Sequence, residues 1–247
     1  MSEFVYGDEE RIFVNTDMGC SSHCNYCYLT SLNILKGRKR INAEEAIRLV
    51  EDLDYYKPGM NGTIISIGCY SECMAQENIE DTFVVTEYFL KQGNYVQLAT
   101  KKQINRDFLE RLSKNENQKE RLWIYTSIPV ITDSDKIELG TDTLDKRLDN
   151  FVTCKQFGMN YALYIKPYIE GVTDKDIDKY IDIIKYFNIP VVVVGEMLST
   201  KGTGEVVLVG EKRLYCQRTD GMDDFVRQLK KVTDVYLHST ECIKKRG

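Results

Sequence analysis

The chain has 247 residues, of which 43% are hydrophobic and 29% charged, and its formal net charge is −5. This balance is ordinary for a folded globular protein and disfavours a general nucleic-acid binder, although a local basic groove remains compatible with it. No apolar run approaches the ~20 residues of a membrane span, and the N-terminus lacks a basic-then-apolar signal. The protein is therefore expected in the cytoplasm with no membrane partner, where its eight cysteines read as metal ligands, reactive thiols or small buried residues and not as a disulfide framework.

Residues 1–10 are acidic and are expected to form an exposed lead-in. Residues 11–15 read as a first strand, followed by a cysteine-rich loop. The basic runs Lys36-Gly-Arg38-Lys39-Arg40 and Lys244-Lys245-Arg246 are expected as a solvated loop and tail, not phosphate sites. The pattern at 42–53 predicts a helix: Asn42 can cap it, Glu45 completes a capping-box spacing, and Ala46, Val50 and Leu53 share a face. Turn signals at Pro58-Gly59 and Asn61-Gly62 precede a second strand at 63–67.

The alternation continues with a helix at 80–91, a strand at 95–100 and a helix at 105–114 with Phe108 and Leu112 inward. A strand at 122–127 and a helix at 142–157 follow, the helix with Leu144, Leu148, Phe151 and Val152 inward. A strand at 161–167 leads to a helix capped by Thr173 and carrying Ile177, Ile181 and Ile184. Val191 to Val194 form a short, continuously apolar strand of the kind buried on both faces of a parallel sheet. Six strands, most of them joined by helices, predict an α/β fold, an open or partly closed parallel barrel. After Val194 the pattern changes to a β-hairpin at 206–216, turning at Gly210-Glu211, and a helix at 223–232. The expected division is a barrel over 1–198 and a C-terminal hairpin-helix extension over 199–247, within one structural unit.

The loop after the first strand reads Cys20-Ser-Ser-His-Cys24-Asn-Tyr-Cys27-Tyr28. Two further cysteines at two fixed offsets arise by chance about once in a thousand for eight cysteines in 247 residues. Three thiolates so close together can ligate three irons of a four-iron cluster and leave the fourth open to a small molecule. An electron-transfer cluster is ordinarily closed by four cysteines, so an open iron points to chemistry. The alternative is a zinc knuckle using His23, which lacks a second ligand pair at a matching distance.

The spacing Cys-x3-Cys-x2-Cys, with the aromatic Tyr26 before the last cysteine, resembles the signature of the radical S-adenosylmethionine superfamily. The resemblance implies a partial (β/α)6 barrel, related to the TIM barrel, with reacting groups at the C-terminal strand ends, as is general for β/α barrels. It implies a 4Fe-4S cluster on Cys20, Cys24 and Cys27, S-adenosyl-L-methionine as cofactor, and a flavodoxin or ferredoxin as reductant. The second strand ends in Gly68-Cys69-Tyr-Ser71-Glu72-Cys73, where Gly68 permits close backbone approach. Gly68, Ser71 and Glu72 are candidates for holding the methionyl amino group.

Cys69-Tyr-Ser71-Glu72 also resembles the Cys-x-Ser-Asp segment of the spore photoproduct lyase-like branch, with Glu72 in place of Asp. By that resemblance Cys69 is the hydrogen-atom donor, Lys101 contacts the methionyl carboxylate, and Ser127 contacts the cofactor. Glu138, Arg147 and residues 166–171 look like the same branch, but the long N-terminal region of the lyase has no counterpart here. Tyr70 and Tyr95 are positional candidates for a tyrosine relay. Cys73 is a second possible donor, Cys154 reads as core, and a second cluster on Cys69, Cys73, Cys216 and Cys242 matches no dense motif. The expected substrate is a small molecule or a modified nucleic acid. The competing readings are a dehydrogenase or rearrangement enzyme with a structural Cys69, and a cluster-holding sensor or electron carrier.

Overall fold

The structure is a computed structural model that describes residues 3–30, 39–209 and 212–246. Strands β1 (Val5–Gly7) and β2 (Arg11–Val14) form an antiparallel hairpin. From β2 the sheet runs in chain order and in parallel through β3 (Ile64–Ile67), β4 (Val96–Thr100), β5 (Leu122–Ser127), β6 (Asn160–Ile165) and β7 (Val191–Val194). All six parallel strands lie where the apolar runs place them, to within two residues at the ends. The fold is thus α/β, a partial barrel of the (β/α)6 kind, with its core between the sheet and helices α1 (Ala43–Glu51), α2 (Ile79–Lys91), α3 (Arg106–Ser113), α4 (Leu144–Phe157) and α5 (Ile177–Phe187).

Local chemistry sets the helix starts. Asn42 accepts a hydrogen bond from the Glu45 amide at 2.8 Å, and Asn105 one from the Asp107 amide at 2.8 Å, each satisfying an orphan donor. Thr173 does not cap α5. Its hydroxyl donates to the Pro129 carbonyl, a 3-10 turn follows it, and the helix starts at Ile177. In α4, Val152 is exposed, because Arg147, Asn150, Phe151 and Cys154 make the inward face at helical spacing.

The N-terminal lead-in is not exposed as its acidic residues imply. Phe4, Val5 and Tyr6 are buried, and β1 covers the edge of β2 while Asp8, Glu9 and Glu10 face solvent in the connection. Of the first basic run, residues 36–38 lie outside the described residues. Lys39 and Arg40 pair as a two-residue strand with Asp17–Met18 and form ion pairs with Glu3 and Asp81. Lys244 pairs with Glu10 at 3.0 Å.

Beyond β7, strands β8 (Met197–Ser199), β9 (Val206–Val209) and β10 (Lys212–Gln217) form a small antiparallel sheet with β10 in the middle. The expected turn at Gly210-Glu211 lies outside the described residues. Helix α6 (Asp220–Leu229) is capped by Thr219, which accepts from the Met222 amide, and buries Phe225 and Leu229. The chain then returns to the barrel: β11 (Asp234–Tyr236) pairs in parallel with β7, and α7 (Ser239–Arg246) follows.

Cys242 and Ile243 of α7 are buried among Ile64, Tyr95, Trp123, Val191 and Val193 in one apolar cluster. Tyr125 Oη donates to the Ser239 carbonyl at 2.9 Å and lies 2.9 Å from Cys242 Sγ. Truncating Ile243, which is 1% exposed, should therefore act on the barrel itself. Ile243→Ala is expected to lower the stability of the whole chain by about 2–5 kcal/mol in a single urea transition. A wild-type barrel transition with a separate weak early phase would mean that α7 folds by itself.

Candidate active site

A cavity of about 500 Å³ opens where the parallel strands end, lined by residues of the cysteine loop, of the strand ends and of β8–β10. Cys20, Cys24 and Cys27 all line it, and Cys24 and Cys27 share a tight turn, the Cys27 amide donating to the Cys24 carbonyl at 3.0 Å. Burial pushes the Cys24 thiol up to about 11, partly offset by Lys101, and raises Cys27 as well. A bound metal would reverse that tendency, since a coordinating thiol is deprotonated.

Among the described residues no three His, Cys, Asp or Glu side chains are disposed to hold a single metal ion. Zinc draws its sulfurs to about 2.3 Å of one centre. Cys20, Cys24 and Cys27, free thiols lining one cavity, are the residues that would hold a four-iron cluster there. His23 is exposed and does not line the cavity, so the zinc-knuckle reading has no support from it.

The cysteine loop is stitched to the segment between β5 and α4. The Asn25 amide donates to the Ile137 carbonyl at 2.9 Å, and the Gly140 amide to the Ser22 carbonyl at 2.9 Å. Gly140 is needed there, because a Cβ would lie 2.3 Å from the Ser21 carbonyl oxygen. Tyr26 Oη donates to Glu138, whose other oxygen pairs with Arg147 Nη1 at 2.8 Å. The Arg147 and Glu138 side chains are both 0% exposed, and Arg147 Nη1 also donates to the Ser127 carbonyl at 3.1 Å. The buried pair thus joins the loop to the end of β5. Burial first, then the Glu138 carboxylate, raises Tyr26 far above the usual phenol range, so it remains a donor.

Next to the cysteines stands the expected lysine. Lys101 Nζ donates to Ser127 Oγ at 2.9 Å and lies 5.7 Å from the centre of the Tyr26 ring. Its ammonium has donors to spare for a carboxylate entering the cavity. Glu72 organises the same corner: its oxygens accept from Thr100 Oγ1, the Met74 amide and, at 2.9 Å, the Lys101 amide. Ser71, Gly68 and Cys69 line the cavity beside it. The glycine has a different local reason from the one its position implies. Gly68 has φ +84°, and a Cβ there would lie 2.8 Å from Cys73 Cβ, so the room is taken by Cys73.

Cys73 itself is buried, 3.6 Å from the Ala99 carbonyl, and does not line the cavity. Cys69 does, and Tyr6, Tyr28 and Tyr70 are its electrostatic neighbours. Tyr6 stacks on Tyr70 with ring centres 5.1 Å apart. Tyr95 packs instead with Ile64, Trp123 and Tyr125 and does not line the cavity, so it is no neighbour of Cys69. Tyr6 and Tyr28, which sequence reasoning passed over, take that place: one hides in the short β1, the other directly follows Cys27. Cys154 is core as expected, while Cys73 and Cys242 belong to different apolar clusters. Cys216 also lines the cavity.

The fold is shared with solved structures of spore photoproduct lyase and of SuiB. The chain is similar to spore photoproduct lyase complexed with dinucleoside spore photoproduct, at 15% identity and TM-score 0.65, over 90% of this chain and 75% of that one. A variant of that lyase with bound AdoMet and dinucleoside spore photoproduct gives 14% identity and TM-score 0.65, over 92% and 76%. SuiB of Streptococcus suis, bound to S-adenosylmethionine, gives 13% identity and TM-score 0.60 over 92% of this chain and 50% of that one. At these identities the likeness is one of fold. No protein-family model matches the chain, and no curated protein matches its sequence. Among the described residues no helix is long and apolar enough to cross a membrane.

The buried pair yields a stability test. Arg147→Met leaves Glu138 without its countercharge in a dry site and is expected to cost about 3–5 kcal/mol in urea unfolding. A loss below about 1 kcal/mol would mean that Glu138 stays satisfied without Arg147.

Proposed function

We propose that the chain is a radical S-adenosylmethionine enzyme in which Cys69 returns a hydrogen atom to the substrate radical. One observation carries the reading: Cys20, Cys24, Cys27, the Lys101–Ser127 pair and Cys69 line a single cavity at the C-terminal ends of parallel strands. Cys20, Cys24 and Cys27 would hold a 4Fe-4S cluster, which with S-adenosylmethionine bound would supply the radical chemistry that removes a hydrogen atom from the substrate.

The chain's own residues do the rest. Lys101 holds the methionyl carboxylate, with Ser127 orienting its ammonium. Gly68, Ser71 and Glu72 form the edge facing the methionyl amino group, Glu72 chiefly by fixing the Lys101 backbone. Tyr26 anchors the loop through Glu138. Cys69 gives its S–H hydrogen to the substrate carbon radical, which leaves a thiyl radical on sulfur. Burial holds Tyr6 and Tyr28 protonated, so each keeps an O–H on which that thiyl can draw. The resulting radical is reset by one electron from the external reductant, a flavodoxin or ferredoxin, and one proton. Reaction in the cytoplasm on a small molecule or a modified nucleic acid fits this chemistry, of the lyase or epimerase kind. A sensor or electron carrier fits less well, since neither needs a thiol and a lysine in the same cavity.

Two substitutions test the assignment. Lys101→Ala should weaken S-adenosylmethionine binding by about 1.5–3 kcal/mol, roughly ten- to hundredfold in Kd, read by isothermal titration; an unchanged Kd removes Lys101 from the cofactor site. Cys69→Ala should still bind iron and cleave S-adenosylmethionine but divert the substrate radical to by-products, with loss of deuterium incorporation from D2O. Normal product and labelling in Cys69→Ala would leave the cysteine a packing residue and favour the dehydrogenase or rearrangement reading.

A further inference from the structure

The cavity also holds a cation that the proposed reaction does not use. Arg11 opens β2, three residues and about 10 Å below the C-terminal end of that strand. Its side chain climbs along the strand, so that Cζ lies 4.2 Å from the centre of the Phe13 ring. Both residues line the cavity. Nε donates to Ser66 Oγ at 2.6 Å. Gln97, with its carbonyl turned to satisfy its neighbours, accepts from Nη2 at 2.9 Å and donates to Ser239 Oγ at 3.1 Å. Strands β3 and β4 and helix α7 therefore converge to fix one guanidinium group.

Every one of these partners is neutral. Among the described residues no carboxylate pairs with Arg11, and Nη1 has no hydrogen-bond partner. Arg218, at the cavity rim, differs: it pairs with Asp223 at 2.7 Å and approaches Glu196 at 3.9 Å. A cation partly withdrawn from water is costly without a countercharge, and an aromatic face offsets only part of that cost. A fixed guanidinium fork also matches the two oxygens of a carboxylate or phosphate.

We propose that Arg11 binds an oxyanion of the substrate, which is therefore an acid whose charged end reaches into the barrel. The reacting carbon then stays at the mouth beside Cys69; that placement rests on the radical reading, whereas the anion site does not. The methionyl carboxylate has its own partner in Lys101 at the strand ends, so Arg11 is left for the substrate. The oxyanion is a carboxylate or a phosphate ester, the two sources this chemistry admits.

Phenylglyoxal, which caps accessible guanidinium groups, tests the site on the cluster-loaded wild-type protein without a variant that must fold. Propionate and inorganic phosphate are the competing anions, chloride at matched ionic strength is the control, and peptide mass mapping reads Arg11 by itself. The exposed Arg48 serves as internal reference. Arg11 is expected to be labelled in chloride and protected about tenfold by at least one of the two anions, relative to Arg48. Protection by propionate alone points to a carboxylic acid substrate, by phosphate alone to a phosphate ester, and by both to a site that takes either. Equal labelling of Arg11 in all three salts, or none in any, overturns the proposal. The measurement involves no turnover, so it stands apart from the fate of the radical reading.

Discussion

The ion pair between Arg147 and Glu138 is the constraint on which the site depends. Both side chains are fully buried, and among the described residues Arg147 Nε and Nη2 have no hydrogen-bond partner. Replacing such a pair by apolar residues of similar volume is often neutral or stabilising, so it is weak evidence for stability. What the pair does here is positional. It connects Tyr26, inside the cysteine loop, to the Ser127 carbonyl at the end of β5. Ser127 in turn holds Lys101. The cysteine loop and Lys101 are thereby set relative to one another through a single buried contact.

Buried polar side chains also tie the neighbouring strand ends to one another. Glu72 ties the end of β3 to the end of β4 through Thr100 and the Lys101 amide. Asn15, at the end of β2, accepts from the Tyr70 amide at 2.7 Å and so fixes the backbone next to Cys69. Three successive strand ends are thus crosslinked by buried polar side chains, the kind of support that keeps a reactive constellation from loosening. Outside these strand ends, Val206 and Leu208 on β9 are exposed.

The parallel strands were legible in the sequence because each is a run of apolar residues between turn signals, and the cysteine spacing carried the site. The edges were not. Strand β1 is three residues long and flanked by Glu3, Asp8, Glu9 and Glu10, so its acidic neighbours mask the buried Val5 and Tyr6. Strand β11 is also three residues, too short for any periodicity, and it joins the sheet only because β7 offers a free edge. Arg147 sits at an inward helical position where an apolar residue is the normal expectation, and only Glu138, nine residues earlier, makes it tolerable. The polar set of Arg11, Ser66 and Gln97 comes from three different strands, and no local pattern foretells that they meet.

The central claim is that three cysteine thiolates hold a four-iron cluster with one iron open to S-adenosylmethionine. Electron paramagnetic resonance of the anaerobically reconstituted, dithionite-reduced protein tests it most directly. The account predicts a spin-half signal whose g-values shift when S-adenosylmethionine is added, and no such cluster signal after Cys24→Ala. A colourless, iron-free protein, or a cluster signal indifferent to S-adenosylmethionine, would contradict it.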